Sequence, residues 1–298
     1  MEKNDFKVKF WGVRGSHPVV NKDFLKYGGN TACVEVTIGS HTIIIDGGTG
    51  IIPLGDKIFA EHISSAGNVF ERKPINLTVL LSHVHQDHIQ GLNFFKPMNV
   101  LTTRMSLFGY SGFDSTLDET LAEVIFGKSF PINLYDMKAD CSITDISESY
   151  VVILNDKKES PVLKRISDIN DVKPKDDEVI ISFMKYNSHP NFGVMCFKIS
   201  YKDKNLVYAS DTECYAGGSK RLELFAKDAD LLIHDSQYTS EDYLSSILPK
   251  QGFGHSTFDM AYDVAKSANV KKKPANNNNV VVTNAPSGQS LNKKGGCC

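Results

Sequence analysis

The stretch that decides the fold is Leu77-Thr78-Val79-Leu80-Leu81-Ser82, followed directly by His83-Val84-His85-Gln86-Asp87-His88. Apolar and β-branched residues dominate the first six positions, which is typical of a buried strand. Three imidazoles and one carboxylate then fall within six residues, although the chain of 298 residues has only nine histidines. Imidazole nitrogen and carboxylate oxygen are the ligands that zinc, manganese and iron take in catalytic centres. The pattern therefore predicts a metal site at the end of a strand.

The spacing within this run predicts how its ligands divide. Side chains alternate along an extended segment, so His83 and His85 are expected to point the same way. Asp87 and His88 follow at the turn and are expected to face a second ion. The alternative is a chance cluster of surface histidines, and the concentration of a third of all histidines here argues against it.

Composition restricts the class of protein. With 41% apolar and 23% charged residues, the chain has the composition of an ordinary soluble globular protein. Its formal net charge of −2 argues against a broad nucleic-acid-binding surface, so extended nucleic acid is not the expected partner. The N-terminus is too polar for a signal peptide, and no apolar run approaches the roughly 20 residues that span a bilayer. The first four cysteines are scattered, which favours reduced thiols in a cytoplasmic protein.

Strand-like segments occur in both halves of the chain, and helical patterns lie between and after them. Strands are predicted at residues 8–11, 33–38, 42–46, 77–82, 179–186, 193–201, 205–210 and 231–235. Helices are predicted at residues 117–126, 219–227, 240–248 and 257–268. Residues 137–178 are polar and charged and are predicted to be a loop or an excursion. Two packed sheets with helices outside are one of the few layered arrangements that suit this pattern.

Three further places supply ligand-type residues at strand ends or turns. They are His189 after one strand, Asp211 after another, and His255 before the last predicted helix. Alone, each would more often be a structural residue. Their joint occurrence with the histidine run makes them candidate site residues.

Several motifs follow one another between about residues 6 and 268. They are Phe10-Trp-Gly-Val-Arg-Gly-Ser16, Tyr27-Gly-Gly-Asn-Thr31, Ile45-Asp-Gly-Gly-Thr-Gly50, His83-x-His-x-Asp-His88, His189, Ser210-Asp-Thr212 and Gly254-His-Ser-Thr257. In these motifs and in their order, the chain resembles the metallo-β-lactamase-fold hydrolases. The resemblance is to the branch that includes tRNase Z-like nucleases and cyclic-nucleotide phosphodiesterases. It implies an α/β fold, an αββα sandwich of two packed mixed β-sheets flanked by helices, over residues 1–268.

The resemblance also implies roles for the candidate residues. It assigns His83, His85 and His189 to one ion, Asp87 and His88 to a second, and Asp211 to a bridge between them. The expected ions are two zinc ions, with manganese or iron as alternatives. His255 would contact the substrate phosphate or protonate the leaving group, and Asp46 would support the ligands from behind.

These assignments agree with the chemistry of phosphoryl transfer. Two ions about 4 Å apart can share a hydroxide and clamp both oxygens of an in-line displacement. Asp87 can orient or deprotonate the water, and an imidazole such as His255 can act as general acid. The expected substrate is a small phosphodiester, most simply a cyclic nucleotide. The alternatives are a tRNA 3′-processing nuclease, whose basic arm residues 137–178 do not resemble, and a glyoxalase-type thioesterase.

One ligand of the resembled family is missing. In that family a further histidine ends a strand after the final helix and completes the second ion site. The corresponding stretch here is 280–286, where Thr283 and Asn284 stand in its place. Three interpretations remain: a weakened second ion, substitution by His234, or a degenerate enzyme.

The last thirty residues, 269–298, form a basic, Asn-rich, low-complexity segment that is predicted to be disordered. The end resembles the C-terminus of Rab-type small GTPases, whose paired cysteines are prenylated. That resemblance implies a membrane tether through Cys297 and Cys298. The alternative is two accidental cysteines. The resemblance to the hydrolase family also implies a homodimer.

Overall fold

Two mixed six-stranded sheets form the centre of the fold in the part of the chain that the computed structural model describes. That part is residues 6–271 without residues 113, 159, 170–172, 176 and 216. The first sheet has the strand order β1 (Phe6–Gly12), β2 (Cys33–Ile38), β3 (His41–Ile45), β4 (Ile75–Leu81), β5 (Thr103–Gly109), β6 (Asp140–Asp145). The second has the order β12 (Leu231–His234), β11 (Lys204–Ala209), β10 (Val194–Tyr201), β9 (Val179–Tyr186), β7 (Tyr150–Leu154), β8 (Val162–Arg165).

Helices lie against the outer faces of both sheets. The α-helices are α1 (Ile51–Ser64), α2 (Gln86–Ile89), α3 (Leu117–Val124), α4 (Lys220–Phe225), α5 (Ser240–Tyr243) and α6 (Phe258–Ser267). Short 3-10 helices occupy Lys22–Phe24, Val69–Glu71, Leu92–Phe94, Lys96–Asn99, Leu134–Asp136 and Ile166–Asp168.

Alternating side chains explain why the sheets form a four-layer sandwich. On β3, Ile43 and Ile45 enter the core between the two sheets, whereas Ile44 faces the outer cluster that contains α1. On the other side, Leu222 and Val264 bring α4 and α6 onto the outer face of the second sheet. The predicted αββα sandwich is confirmed.

The prediction that residues 137–178 are a loop is wrong. This segment contributes β6 to one sheet and β7 and β8 to the other. The prediction took charged residues as a sign of a loop. However, β6 and β8 are the outermost described strands of their sheets, and edge strands commonly carry charges. The inner strand β7 is apolar and its residues 151–154 are buried.

The helix predicted at 240–248 is also shorter than expected and ends at Tyr243. Its remaining apolar residues do not pack, and the side chain of Ile247 is 93% exposed. A second turn would therefore bury nothing that could stabilise it.

The strand order brings the candidate residues to one end of the sandwich. Strands β3 and β4 run parallel, as do β11 and β12. Asp46 and His83 follow the first pair closely, and Asp211 and Asp235 follow the second. Carboxyl ends of parallel strands meet at one sheet edge, so these side chains converge.

Several predictions concern parts of the chain outside the described residues. They are the missing ligand at Thr283 and Asn284, the tether at Cys297 and Cys298, and most of the tail at 269–298. The four described cysteines are unpaired, as predicted. Within the described ranges, no helix is long and apolar enough to cross a membrane.

Candidate metal centre

All six predicted metal ligands come together in two groups that share one residue. The first group is His83, His85, His189 and Asp211, and the second is Asp87, His88 and Asp211. In each group the potential ligand atoms lie within 4.8 Å of one another. The division matches the one that the spacing of the run predicts.

The local backbone explains how four ligands of one short run reach two places. His83 follows β4 in an extended turn, and His85 is the N-cap of the four-residue helix α2. Asp87 and His88 lie inside that helix, which turns them away from His85. A strand end followed at once by a helical turn therefore splits the run into two ligand pairs.

Asp211 occupies the position between the two groups. Its Oδ2 lies 3.5 Å from Nε2 of His83, 3.3 Å from Nε2 of His88 and 3.6 Å from Nε2 of His189. Its backbone is left-handed, with φ of 50°, which is uncommon for a residue other than glycine. Such conformations cluster at functional sites, because surrounding contacts must hold them.

The donor set fits divalent metal ions. Nε2 of His83 is buried and has no hydrogen-bond partner, so its lone pair is free to bind an ion. Burial lowers the pKa of His83, His85 and His189, which keeps these imidazoles in the neutral form that binds metal.

The charges of the second group, Asp87, His88 and Asp211, also favour a bound cation. Burial opposes a charge on His88, yet the carboxylates of Asp211, Asp46 and Asp87 raise its pKa well above the usual value. The group therefore holds excess negative charge that a cation would neutralise. We infer that both groups are suited to divalent ions.

Asp46 fixes the orientation of His88. Its carboxylate is fully buried and accepts hydrogen bonds from Nδ1 of His88 at 2.8 Å and from the Tyr208 hydroxyl at 2.6 Å. It also accepts from the amide and hydroxyl of Ser82 at 2.8 and 3.0 Å. With Nδ1–H held by a carboxylate, Nε2 of His88 faces the ligand group, as is usual for metal-binding histidines.

We expect Asp46→Asn to weaken the second ion more than the first. Loss of such a supporting carboxylate lowers metal affinity about 10- to 100-fold in other sites. Zinc titration of the metal-free protein, with ions counted by plasma mass spectrometry, would measure both affinities. Asp230→Asn is the control, because Asp230 pairs with surface lysines. Equal weakening of both ions would contradict the assignment of His88 to one of them.

Asp235 is a site residue that the sequence analysis did not single out. Its Oδ2 accepts a hydrogen bond from Nδ1 of His255 at 2.8 Å, and Asp235 is 2% exposed. Burial alone would lower the pKa of His255, but the hydrogen bond and charge of Asp235 outweigh it and raise the pKa to about 9. The ligand-type atoms of Asp211, Asp235 and His255 also lie within 4.8 Å of one another. The sequence did contain a signal for Asp235, because this residue ends the strand predicted at residues 231–235.

His234 does not substitute for the missing ligand. Its Nδ1 donates to the backbone carbonyl of Asp235 at 2.6 Å, and its Nε2 lies 3.5 Å from Sγ of Cys214. It belongs to none of the ligand groups among the described residues.

The sequence family follows from a comparison with known domains. The model of the beta-lactamase superfamily domain matches residues 41–274. The chain belongs to the beta-lactamase superfamily. The match covers most of the chain and supports an enzyme, a hydrolase of the metallo-β-lactamase fold, as the sequence motifs imply.

Relatives within this superfamily include nucleases. Ribonuclease Z of Picrophilus torridus is 25% identical over 289 residues, which cover 90% of this chain and 84% of the relative. The fold resembles YhfI, a metallo-β-lactamase fold protein from Bacillus subtilis, with a TM-score of 0.55, 17% identity, and coverage of 89% of this chain and 83% of that chain. It also resembles the short form of human tRNase Z, with a TM-score of 0.53, 14% identity, and coverage of 88% and 89%.

Glu213 holds the segment that precedes His255. Its fully buried carboxylate accepts hydrogen bonds from the amides of Gly252 and Gly254 and from the Tyr243 hydroxyl. Gly254 has a left-handed backbone, and a Cβ there would lie 2.3 Å from Nδ1 of His189. Its carbonyl accepts a hydrogen bond from that same nitrogen at 3.1 Å. Glu213 thus holds the segment that orients His189 and carries His255.

The loop after β1 holds Asp87. The amide of Ser16 donates to Oδ2 of Asp87 at 2.7 Å, and Ser16 has a left-handed backbone with φ of 67°. Nε2 of Gln237 donates to Oγ of Ser16 at 3.2 Å, and the Gln237 amide donates to Oδ1 of Asp235 at 3.0 Å. Hydrogen bonds therefore connect Asp87 to the Asp235–His255 pair across the site.

Proposed function

We propose that the chain is a two-metal phosphodiesterase that acts on a small substrate, with a cyclic nucleotide as the favoured class and zinc as the favoured metal. The observation that carries the proposal is Asp211, whose carboxylate is shared by both ligand groups and lies beside His255. A dinuclear centre with an adjacent proton donor suits in-line phosphoryl displacement.

The residues divide the chemistry between them. Two divalent ions, when bound by the six ligands, supply Lewis acidity toward phosphoryl oxygens and lower the pKa of a water molecule. In this proposal the carboxylate of Asp87, which accepts a hydrogen bond from the Ser16 amide, orients the attacking water and accepts its proton. On the other side, His255 is held by Asp235 and donates a proton to the leaving oxygen.

Two observations support a small substrate. The formal net charge of −2 argues against a broad cationic surface for an extended polyanion. Residues 137–178 do not resemble a nuclease arm and supply strands to both sheets.

A second candidate is cleavage of RNA near its 3′ end. It is favoured by the relative named Ribonuclease Z, which matches over 90% of this chain. Both candidates use the same centre, so only the substrate distinguishes them.

A substrate panel tests the proposal. The metal-loaded protein would be assayed with bis(p-nitrophenyl) phosphate, cyclic AMP, cyclic GMP, pre-tRNA and S-lactoylglutathione. We expect hydrolysis of the first compound and of a cyclic nucleotide, both lost in Asp87→Ala. Efficient cleavage of pre-tRNA alone would favour the second candidate, and hydrolysis of the thioester alone would contradict both.

A further inference from the structure

A small cleft beside the second ligand group contains a cation that the proposed chemistry does not yet use. The cleft has a volume of about 40 Å³, and its walls include His88, Asp211 and Asp235. Arg14 also lines this cleft, and it lies in the same loop that places Ser16 against Asp87.

The Arg14 side chain has no anionic partner. Among the described residues, no carboxylate lies within ion-pair distance of it, and its Nε is buried without a hydrogen-bond acceptor. The guanidinium carbon lies 4.9 Å from the centre of the Phe24 ring, and the backbone amide of Arg14 donates to the Asn30 carbonyl at 3.0 Å. A buried donor without an acceptor is costly, and each such group calls for an explanation.

The carboxylates near Arg14 are already engaged. Asp235 accepts hydrogen bonds from His255, from Thr212 and from the Gln237 amide. Asp211 is directed to the imidazoles of the metal centre. Neither carboxylate pairs with Arg14, and its guanidinium is left able to bind an anionic ligand.

The loop presents Arg14 in a fixed position. Arg14 pairs with Thr31 in a β-bridge, and a Cβ on Gly12 would lie 1.8 Å from the Thr31 carbonyl oxygen. On the far side, a Cβ on Gly15 would lie 2.3 Å from Oε1 of Gln237. The backbone is therefore closely packed on both sides of Arg14. This packing fixes the position of Arg14 before a ligand binds, as is expected of a preorganised binding residue.

We propose that Arg14 binds a phosphoryl group of the substrate in the cleft beside the metal centre. This inference rests on the proposed phosphodiesterase function and adds a residue that selects anionic substrates. A guanidinium offers a planar fork of donors that matches two phosphoryl oxygens, and its stacking on an aromatic ring leaves those donors free.

The test is direct binding of inorganic phosphate to the metal-loaded protein by titration calorimetry. We expect Arg14→Met to weaken binding roughly 10- to 100-fold, as for loss of a charge-assisted hydrogen bond. The phosphate affinity of Arg14→Lys should lie between those of the unmodified protein and Arg14→Met, because lysine keeps the positive charge but loses the planar pair of donors. Arg165→Met is the matched control, because Arg165 also lies over an aromatic ring, that of Tyr150, but lines a different pocket.

The readouts separate this inference from a folding defect and from the proposed function. Metal content and the fluorescence of Trp11, the single tryptophan, report whether each variant folds. Phosphate affinity unchanged in Arg14→Met, with metal content intact, would overturn the inference. Arg14-dependent phosphate binding in a protein that hydrolyses no phosphodiester would retain the subsite and reject the proposed function.

Two ester substrates distinguish which phosphoryl group Arg14 contacts. One is bis(p-nitrophenyl) phosphate, and the other is the 5′-(p-nitrophenyl phosphate) of thymidine 3′-phosphate, which has a second phosphoryl group. A rise in KM for both in Arg14→Met assigns Arg14 to the reacting phosphoryl group. A rise for the second alone assigns it to the additional one, and a rise for neither contradicts the proposal.

Discussion

Asp211→Ala is expected to remove both metal ions and to lower kcat/KM for a phosphodiester by roughly 10³-fold or more. Asp211 is the only residue that belongs to both ligand groups among the described residues. Its carboxylate also lies within 3.6 Å of three imidazole nitrogens, so its loss removes a negative charge from the centre of the site. Metal content by plasma mass spectrometry and hydrolysis of bis(p-nitrophenyl) phosphate measure the two effects.

The control for this variant is Asp228→Ala. Asp228 has a left-handed backbone, with φ of 56°, close to the 50° of Asp211, but it lies outside the metal centre. Both variants place alanine in a conformation that costs about 1–2 kcal/mol, so they share the backbone strain. Two ions and normal turnover in Asp211→Ala would show that the carboxylate does not bridge the groups.

His255→Ala is expected to lower kcat by about 10²- to 10⁴-fold on a substrate with a poor leaving group. His255 is the proposed proton donor, and Asp235 raises its pKa to about 9 against the effect of burial, which keeps the imidazole protonated at neutral pH. A leaving group such as p-nitrophenolate departs without a proton, so the loss there should be much smaller. Comparing kcat for an aryl and an alkyl ester of the same phosphate measures this difference.

Asp235→Asn provides the companion test. It retains His255 but removes the negative charge that holds the imidazole, so the same leaving-group dependence should appear in a weaker form. His41→Ala is the control, because His41 pairs with Asp156 and neither residue belongs to a ligand group among the described residues. Equal losses on both esters in His255→Ala would mean that His255 binds the substrate rather than protonating the leaving group.

The sequence predicts local features of the site well. The ligands of His83–His88 lie within one strand end and one helical turn, so their division into two pairs depends only on nearby residues. His189 and Asp211 were found because each follows a recognisable strand. Their meeting depends on sheet order, which strand patterns alone do not determine.

Features that depend on tertiary packing were missed. Helix α1 was not predicted, since Pro53 and Gly55 interrupt its pattern, although proline is tolerated in a first turn. Strands β6 and β8 were not predicted, because they are edge strands and carry charged residues. Asp235, Glu213 and Ser16 act through partners 20 or more residues away, so no short motif marks their roles.

We propose that one chain binds two ions in adjoining groups and uses them to hydrolyse a phosphodiester. The most direct test is the metal content of the purified protein by plasma mass spectrometry, made on the same sample as an assay with bis(p-nitrophenyl) phosphate. We expect close to two ions per chain and turnover that Asp87→Ala abolishes. One ion or none, with no turnover after addition of zinc or manganese, would contradict it.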